Sequence, residues 1–189
     1  MFPEVKIIFL ARDLVDRAWS AILMEMRNAA MGLEVGQFAS DNQNMDKRTK
    51  LRYLREADPN QYDDNYFMDR LMHATHRERS EYASSIREWL KYYPKEQILI
   101  LNYKDVSERP RELLKTIGSF IGVNDDFANQ LTEEEISKRF NAAPDSNLRQ
   151  AIRPGLRIKM EQVLRPLAQD FNTLLLELGY TWGLNDYKK

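Results

Sequence analysis

Val5-Lys6-Ile7-Ile8-Phe9-Leu10-Ala11-Arg12-Asp13-Leu14-Val15-Asp16-Arg17-Ala18-Trp19-Ser20 decides how this chain is read. Its first half is a short apolar run that ends on an arginine. Such a run fits a strand buried on both faces, as in a parallel sheet covered by helices. Its second half places Val15, Ala18, Trp19, Ile22, Met26 and Ala29 at helical spacing, so a helix is expected from about Leu14 to Ala30. Asp13 suits the N-cap of that helix. Arg12 therefore falls at the carboxyl end of a strand, where open α/β sheets bind ligands. Ser20 follows on the second helical turn. A fixed guanidinium fork with a hydroxyl beyond it suits a phosphate monoester. The same residues have a plainer reading, in which Arg12 pairs with Asp16 and Ser20 is an ordinary surface hydroxyl.

Composition narrows the field. The chain has 189 residues, and one domain spanning residues 1–189 is expected. A net charge of -1 gives no electrostatic footprint for nucleic acid or an anionic membrane. No apolar run approaches the length of a membrane span, and no signal-peptide pattern opens the chain. Cysteine is absent, which excludes disulfides, thiolate metal sites and a cysteine nucleophile; a cytoplasmic location fits this. The two histidines, His73 and His76, are too few for a histidine-rich metal site, and no metal is expected. Both suit a structural or exposed role.

A second strand is expected at Gln97–Tyr103, after a helix carrying Tyr82, Ile86, Trp89, Leu90 and Tyr93 on one face and stopped by Pro94. Ser80 is the expected cap of that helix. A helix opened near Pro110 carries Leu113, Leu114, Ile117, Phe120 and Ile121 and ends at Gly122. Thr132 and Glu135 form a capping box for a short helix through Phe140. Tyr62 to His76 reads as helical, with Tyr66, Phe67, Leu71 and Met72 as anchors. Pro154 to Leu178 reads as a helix broken at Pro166, with Gly179 ending it. The tail after Trp182 is polar and expected to fray. Lys47, Arg48, Lys50, Arg52 and Arg55 form a basic cluster, read as a solvated face of a short helix or as an insertion that faces a ligand.

Two segments together resemble the sulfotransferase family. The first is the strand, Arg12-Asp13-Leu14, Arg17 and Ser20; Leu14 stands where many members carry proline. The second is Tyr82, Trp89 and Pro94, the strand ending in Tyr103-Lys104-Asp105-Val106, and Phe120-Ile121-Gly122. It departs from the family at Ser80-Glu81, in place of a glycine, and at Lys104, in place of a glutamate. Most positions of this second segment read as architecture.

The resemblance implies an α/β, P-loop-NTPase-like three-layer fold with a parallel sheet. It would be helix-rich and incomplete, with two clear strands, Val5–Leu10 and Gln97–Tyr103. It also implies transfer of a sulfuryl group from 3′-phosphoadenosine 5′-phosphosulfate (PAPS) to an acceptor hydroxyl or amine. Arg12 and Ser20 match the positions that hold the donor's 3′-phosphate. Lys138 and Arg139 lie where a loop closes over the nucleotide, although a basic helix end facing its own dipole explains them equally well.

No phosphate-binding loop motif occurs in the sequence. The family places that loop and its catalytic base before the Arg12 strand, so both are expected upstream of Met1. The catalytic residues are thus unassigned. An alternative function is a non-catalytic remnant or partner subunit that binds PAPS or its product 3′-phosphoadenosine 5′-phosphate (PAP) at most. A third reading is a helical interaction protein with a fortuitous Arg-Ser spacing. Expected partners are a small-molecule, lipid or carbohydrate acceptor, and a second copy or a complementing N-terminal segment. With two strands and open edges, the isolated chain is expected to aggregate or dimerise.

Overall fold

The computed structural model describes residues 4–30, 58–124, 126–138, 151–185 and 187. The basic cluster from Lys47 to Arg55, Arg139 and the end of the helix expected to reach Phe140 lie outside them. The chain forms two compact units: residues 1–13, 81–142 and 165–189, and residues 14–80 and 143–164.

The first unit holds the sheet. Strand β1 (Ile7–Ala11) pairs in parallel with β2 (Ile98–Asn102), Ile7 beside Ile98 and Ala11 beside Asn102. Both expected strands exist, each trimmed or shifted by a residue or two. Phe9 points into an aromatic cluster, with ring centroids 5.0 Å from Tyr82, 6.1 Å from Trp89 and 6.3 Å from Phe171. The opposite face of β1 differs from expectation. Ile8 and Leu10 are 41% and 42% exposed, so the strand alternates rather than being buried on both sides. The reason is position: among the described residues β1 pairs with β2 alone and forms an edge. The far edge of β2 is partly occupied, since the Ile100 N–H donates to the Tyr180 hydroxyl at 3.0 Å.

In chain order the helices are α1 (Leu14–Ala30), α2 (Asp64–Met72), α3 (Ala74–Glu78), α4 (Tyr82–Leu90), α5 (Asp105–Glu108), α6 (Pro110–Ile121), α7 (Asp126–Gln130), α8 (Glu133–Ser137) and α9 (Pro154–Glu177). In the first unit, Pro110 opens α6 and Gly122 closes it with φ of 81°, a left-handed conformation that glycine adopts without a Cβ clash. The Thr132–Glu135 capping box of α8 is present in both directions. Arg87 on α4 forms a two-pronged pair with Asp170 on α9, both contacts 2.8 Å.

The described residues of the second unit are mainly helical. Leu14, Val15, Ala18, Ile22, Leu23 and Met26 form the buried stripe of α1, while Ala29 is exposed. Leu14 and Leu23 thus join the expected stripe, Trp19 is only half-buried, and Ala29 falls outside it. The helical stretch expected over Tyr62 to His76 is present as two helices, α2 and α3, because His73 adopts extended backbone (ψ 140°) between them. Arg153 donates to the Tyr62 carbonyl at 2.9 Å, pairs with Asp64 at 2.9 Å, and lies over the Phe67 ring.

Two further expectations are corrected. Ser80 caps nothing: the cap position of α4 is Glu81, and the buried Ser80 hydroxyl instead donates to the His76 carbonyl at 2.8 Å. Helix α9 runs on through Pro166, which is exposed. Leu164, Ala168 and Phe171 are buried on either side of it, and that buried face outweighs the lost backbone hydrogen bond. Among the described residues no helix is long and apolar enough to cross a membrane.

Candidate functional site

The carboxyl ends of β1 and β2 bring together three residues of the first unit. The strand register continues past the last pair, with the Tyr103 N–H donating to the Ala11 carbonyl at 2.7 Å. Arg12 and Tyr103 are therefore next in line on neighbouring strands. The Arg12 guanidinium lies over the Tyr103 ring, 4.9 Å from its centroid. Such a contact is worth about 0.5–1 kcal/mol at a partly exposed site. The Arg12 main chain is held separately, by the Tyr82 hydroxyl donating to its carbonyl at 3.3 Å. Tyr82 is itself fixed, its ring packed edge-on against Phe9 and Phe171.

No ion pair or hydrogen bond to the Arg12 guanidinium occurs among the described residues. Asp16 pairs with Arg157 in the second unit, at 2.9 Å. Stacking uses the face of the guanidinium and leaves its N–H edges for an anion in the plane of the fork. Asp13, the next residue, accepts from the Tyr187 hydroxyl at 2.9 Å. The tail expected to fray is thus partly docked. Tyr187 is buried, and Asn172 binds both the N–H and the carbonyl of Leu184, at 2.7 and 2.9 Å.

The other predicted site residues are placed as follows. Ser20 is exposed on the second turn of α1, in the second unit. Lys138 is exposed at the end of α8. Arg139 lies outside the described residues. The histidines take structural or exposed positions: His73 is exposed between α2 and α3. His76 is 2% exposed, with Nε2 2.9 Å from Glu25 Oε2 and a carbonyl that accepts from both Arg17 and Ser80. No cluster of three or more potential metal ligands occurs among the described residues.

Sequence reasoning treated Tyr103 and Tyr82 as architecture and overlooked Tyr187. Pairing the two strand sequences end to end would have placed Tyr103 beside Arg12. Nothing comparable signals Tyr187, which sits in a polar tail.

Residues 1–165 match the family model for a sulfotransferase domain. The chain belongs to the sulfotransferase family. The fold agrees with that membership. This sulfotransferase-family chain resembles the crystal structure of a sulfotransferase from Alicyclobacillus acidocaldarius, with a TM-score of 0.52 at 19% identity over 93% of its own length. It spans 56% of the length of that protein. Comparison with curated proteins gives no match. The architecture is therefore α/β and P-loop-like, helix-rich, with a two-stranded parallel sheet among the described residues. Arg12 stands at the edge of that sheet where α/β folds hold ligands.

A concavity of about 230 Å³ is lined by Leu90, Ile98, Leu178 and Tyr180 among others. Ile98 opens β2, so this pocket lies at the amino end of the strands, away from Arg12.

Proposed function

We propose that this chain holds the sulfuryl donor PAPS through a contact between Arg12 and the donor's 3′-phosphate, in the service of sulfuryl transfer to an acceptor hydroxyl or amine. The observation that carries this reading is the state of Arg12. It stands at the carboxyl end of β1, anchored at its carbonyl by Tyr82 and at its guanidinium face by Tyr103, with its donor edges unclaimed among the described residues. A guanidinium held this way suits a dianionic phosphate monoester, which accepts two parallel N–H bonds. Ser20, Lys138 and Arg139 stand as further donor-binding candidates, each on its own sequence position.

In the reaction the acceptor's oxygen or nitrogen bonds to sulfur, the bond from sulfur to the bridging phosphate oxygen breaks, PAP leaves with that electron pair, and the acceptor's proton passes to a base or to water. Arg12 contributes binding and orientation of the donor. It does not activate the acceptor. No metal is required in this scheme. A small-molecule, lipid or carbohydrate acceptor fits it, in a cytoplasm suited to a cysteine-free chain.

The alternative reading is a nucleotide-holding partner that works with a complementing segment or a second copy. Incubation with PAPS labelled in its sulfuryl group, with a panel of hydroxyl and amine acceptors, separates the readings. Label moving to an acceptor establishes the transferase. Label that binds but never moves establishes the holding partner. If no label binds, the donor assignment is wrong.

A further inference from the structure

The parallel register sets Tyr103 beside Arg12, and the ring covers one face of the guanidinium at 4.9 Å. Tyr103 is 41% exposed, so packing alone does not account for its place. Its neighbours are accounted for. Asn102 Oδ1 accepts from the Lys104 N–H at 3.0 Å, and Asp105 pairs with Arg109 at 2.7 Å, so both nearby acceptors are engaged away from Arg12. We propose that Tyr103 is a positioning residue for phosphate recognition: its ring sets the plane of the Arg12 guanidinium so that the fork meets the donor's 3′-phosphate edge-on. This rests on the reading that Arg12 takes that phosphate, and extends it to a residue that touches no part of the donor.

The physical logic is pre-organisation. An arginine side chain at a strand end has several rotatable bonds, and ordering it on binding has an entropic cost. The ring lowers that cost by holding one orientation in advance. It does so from the face, where it removes none of the N–H donors a phosphate needs. Tyr82 fixes the start of the side chain through the Arg12 carbonyl, and Tyr103 fixes its end.

The experiment is calorimetric titration of the full chain with PAP and with adenosine 5′-monophosphate, for the unaltered protein, Tyr103→Leu and Tyr103→Phe. The quantity read is the ratio of the two affinities, which isolates the 3′-phosphate. Tyr103→Leu is expected to reduce that ratio by roughly two- to five-fold, and Tyr103→Phe, which keeps the ring, to restore it. An unchanged ratio in Tyr103→Leu overturns the proposal. So does equal weakening of both nucleotides, which would mean that the ring stacks on the base itself. Failure of the phenylalanine variant to restore the ratio overturns it as well. If the unaltered protein does not prefer PAP at all, the Arg12 assignment falls and this inference falls with it, an outcome distinct from the other three.

Discussion

The Tyr187 hydroxyl donates to the Asp13 carboxylate at 2.9 Å, tying the end of the chain to the residue after Arg12. Tyr187 is buried and has φ of 52°, a left-handed conformation that a residue with a Cβ rarely adopts. The main chain there accepts that cost because the ring, the hydroxyl and an N–H bond to Asn185 Oδ1 at 3.1 Å hold it together. The carboxyl-terminal segment thus helps fix the turn that carries Arg12.

That contact gives the first prediction. Tyr187→Phe keeps the ring and removes the hydrogen bond to a carboxylate. It is expected to cost about 1–2 kcal/mol of stability, read as a lower midpoint in urea unfolding. Tyr187→Ala also empties a buried aromatic site and should cost about 3 kcal/mol or more. Equal midpoints for the unaltered protein and Tyr187→Phe would show that the contact contributes nothing.

The second prediction concerns the edge strand. Ile8 and Leu10 expose apolar surface beside an edge of β1 that is unpaired among the described residues. Edges of this kind template self-association, and a lysine on the edge opposes it. The chain is expected to sediment as a dimer or larger species at micromolar concentration, and Leu10→Lys to shift it toward monomer. A unaltered chain that is monomeric throughout would remove the basis for this expectation.

A third prediction follows from the Arg87–Asp170 pair. The hydrogen bond from Arg87 holds the Asp170 carboxyl below the ordinary carboxylate range, against the smaller opposing effect of burial. A depressed folded-state value stabilises the fold above the unfolded value, near pH 3.9, and that contribution is lost as pH falls through the folded value. The stability gap between the unaltered protein and Asp170→Asn should therefore be constant above about pH 5 and shrink below about pH 4. Both side chains are substantially solvated, so the gap should not exceed about 1 kcal/mol. Urea unfolding at a series of pH values reads it directly; a gap that widens on acidification contradicts the sign.

The sequence was most informative where local chemistry decides structure. The bounds of α1, the capping box at Thr132 and Glu135, and the glycine stop at Gly122 all come from residues within a few positions of one another. It misled where distant partners decide. Ser80 has the chemistry of a cap, but its hydroxyl is taken by Arg17 and His76. Pro166 has the chemistry of a helix break, but buried neighbours on both sides carry α9 through it. The candidate site divides the same way. Arg12 was legible because a strand end and an arginine are adjacent in the chain. Its support by Tyr103 depends on register between strands far apart in sequence, and the docking of Tyr187 depends on contacts spanning most of the chain.

The most direct test of the central claim is calorimetric titration of the chain with PAP beside Arg12→Ala. A charge-assisted arginine–phosphate contact contributes roughly 1.5–3 kcal/mol, so the variant should bind about ten-fold more weakly or worse. Equal affinity in the two proteins, or no binding by either, would contradict the assignment of Arg12 to the donor phosphate.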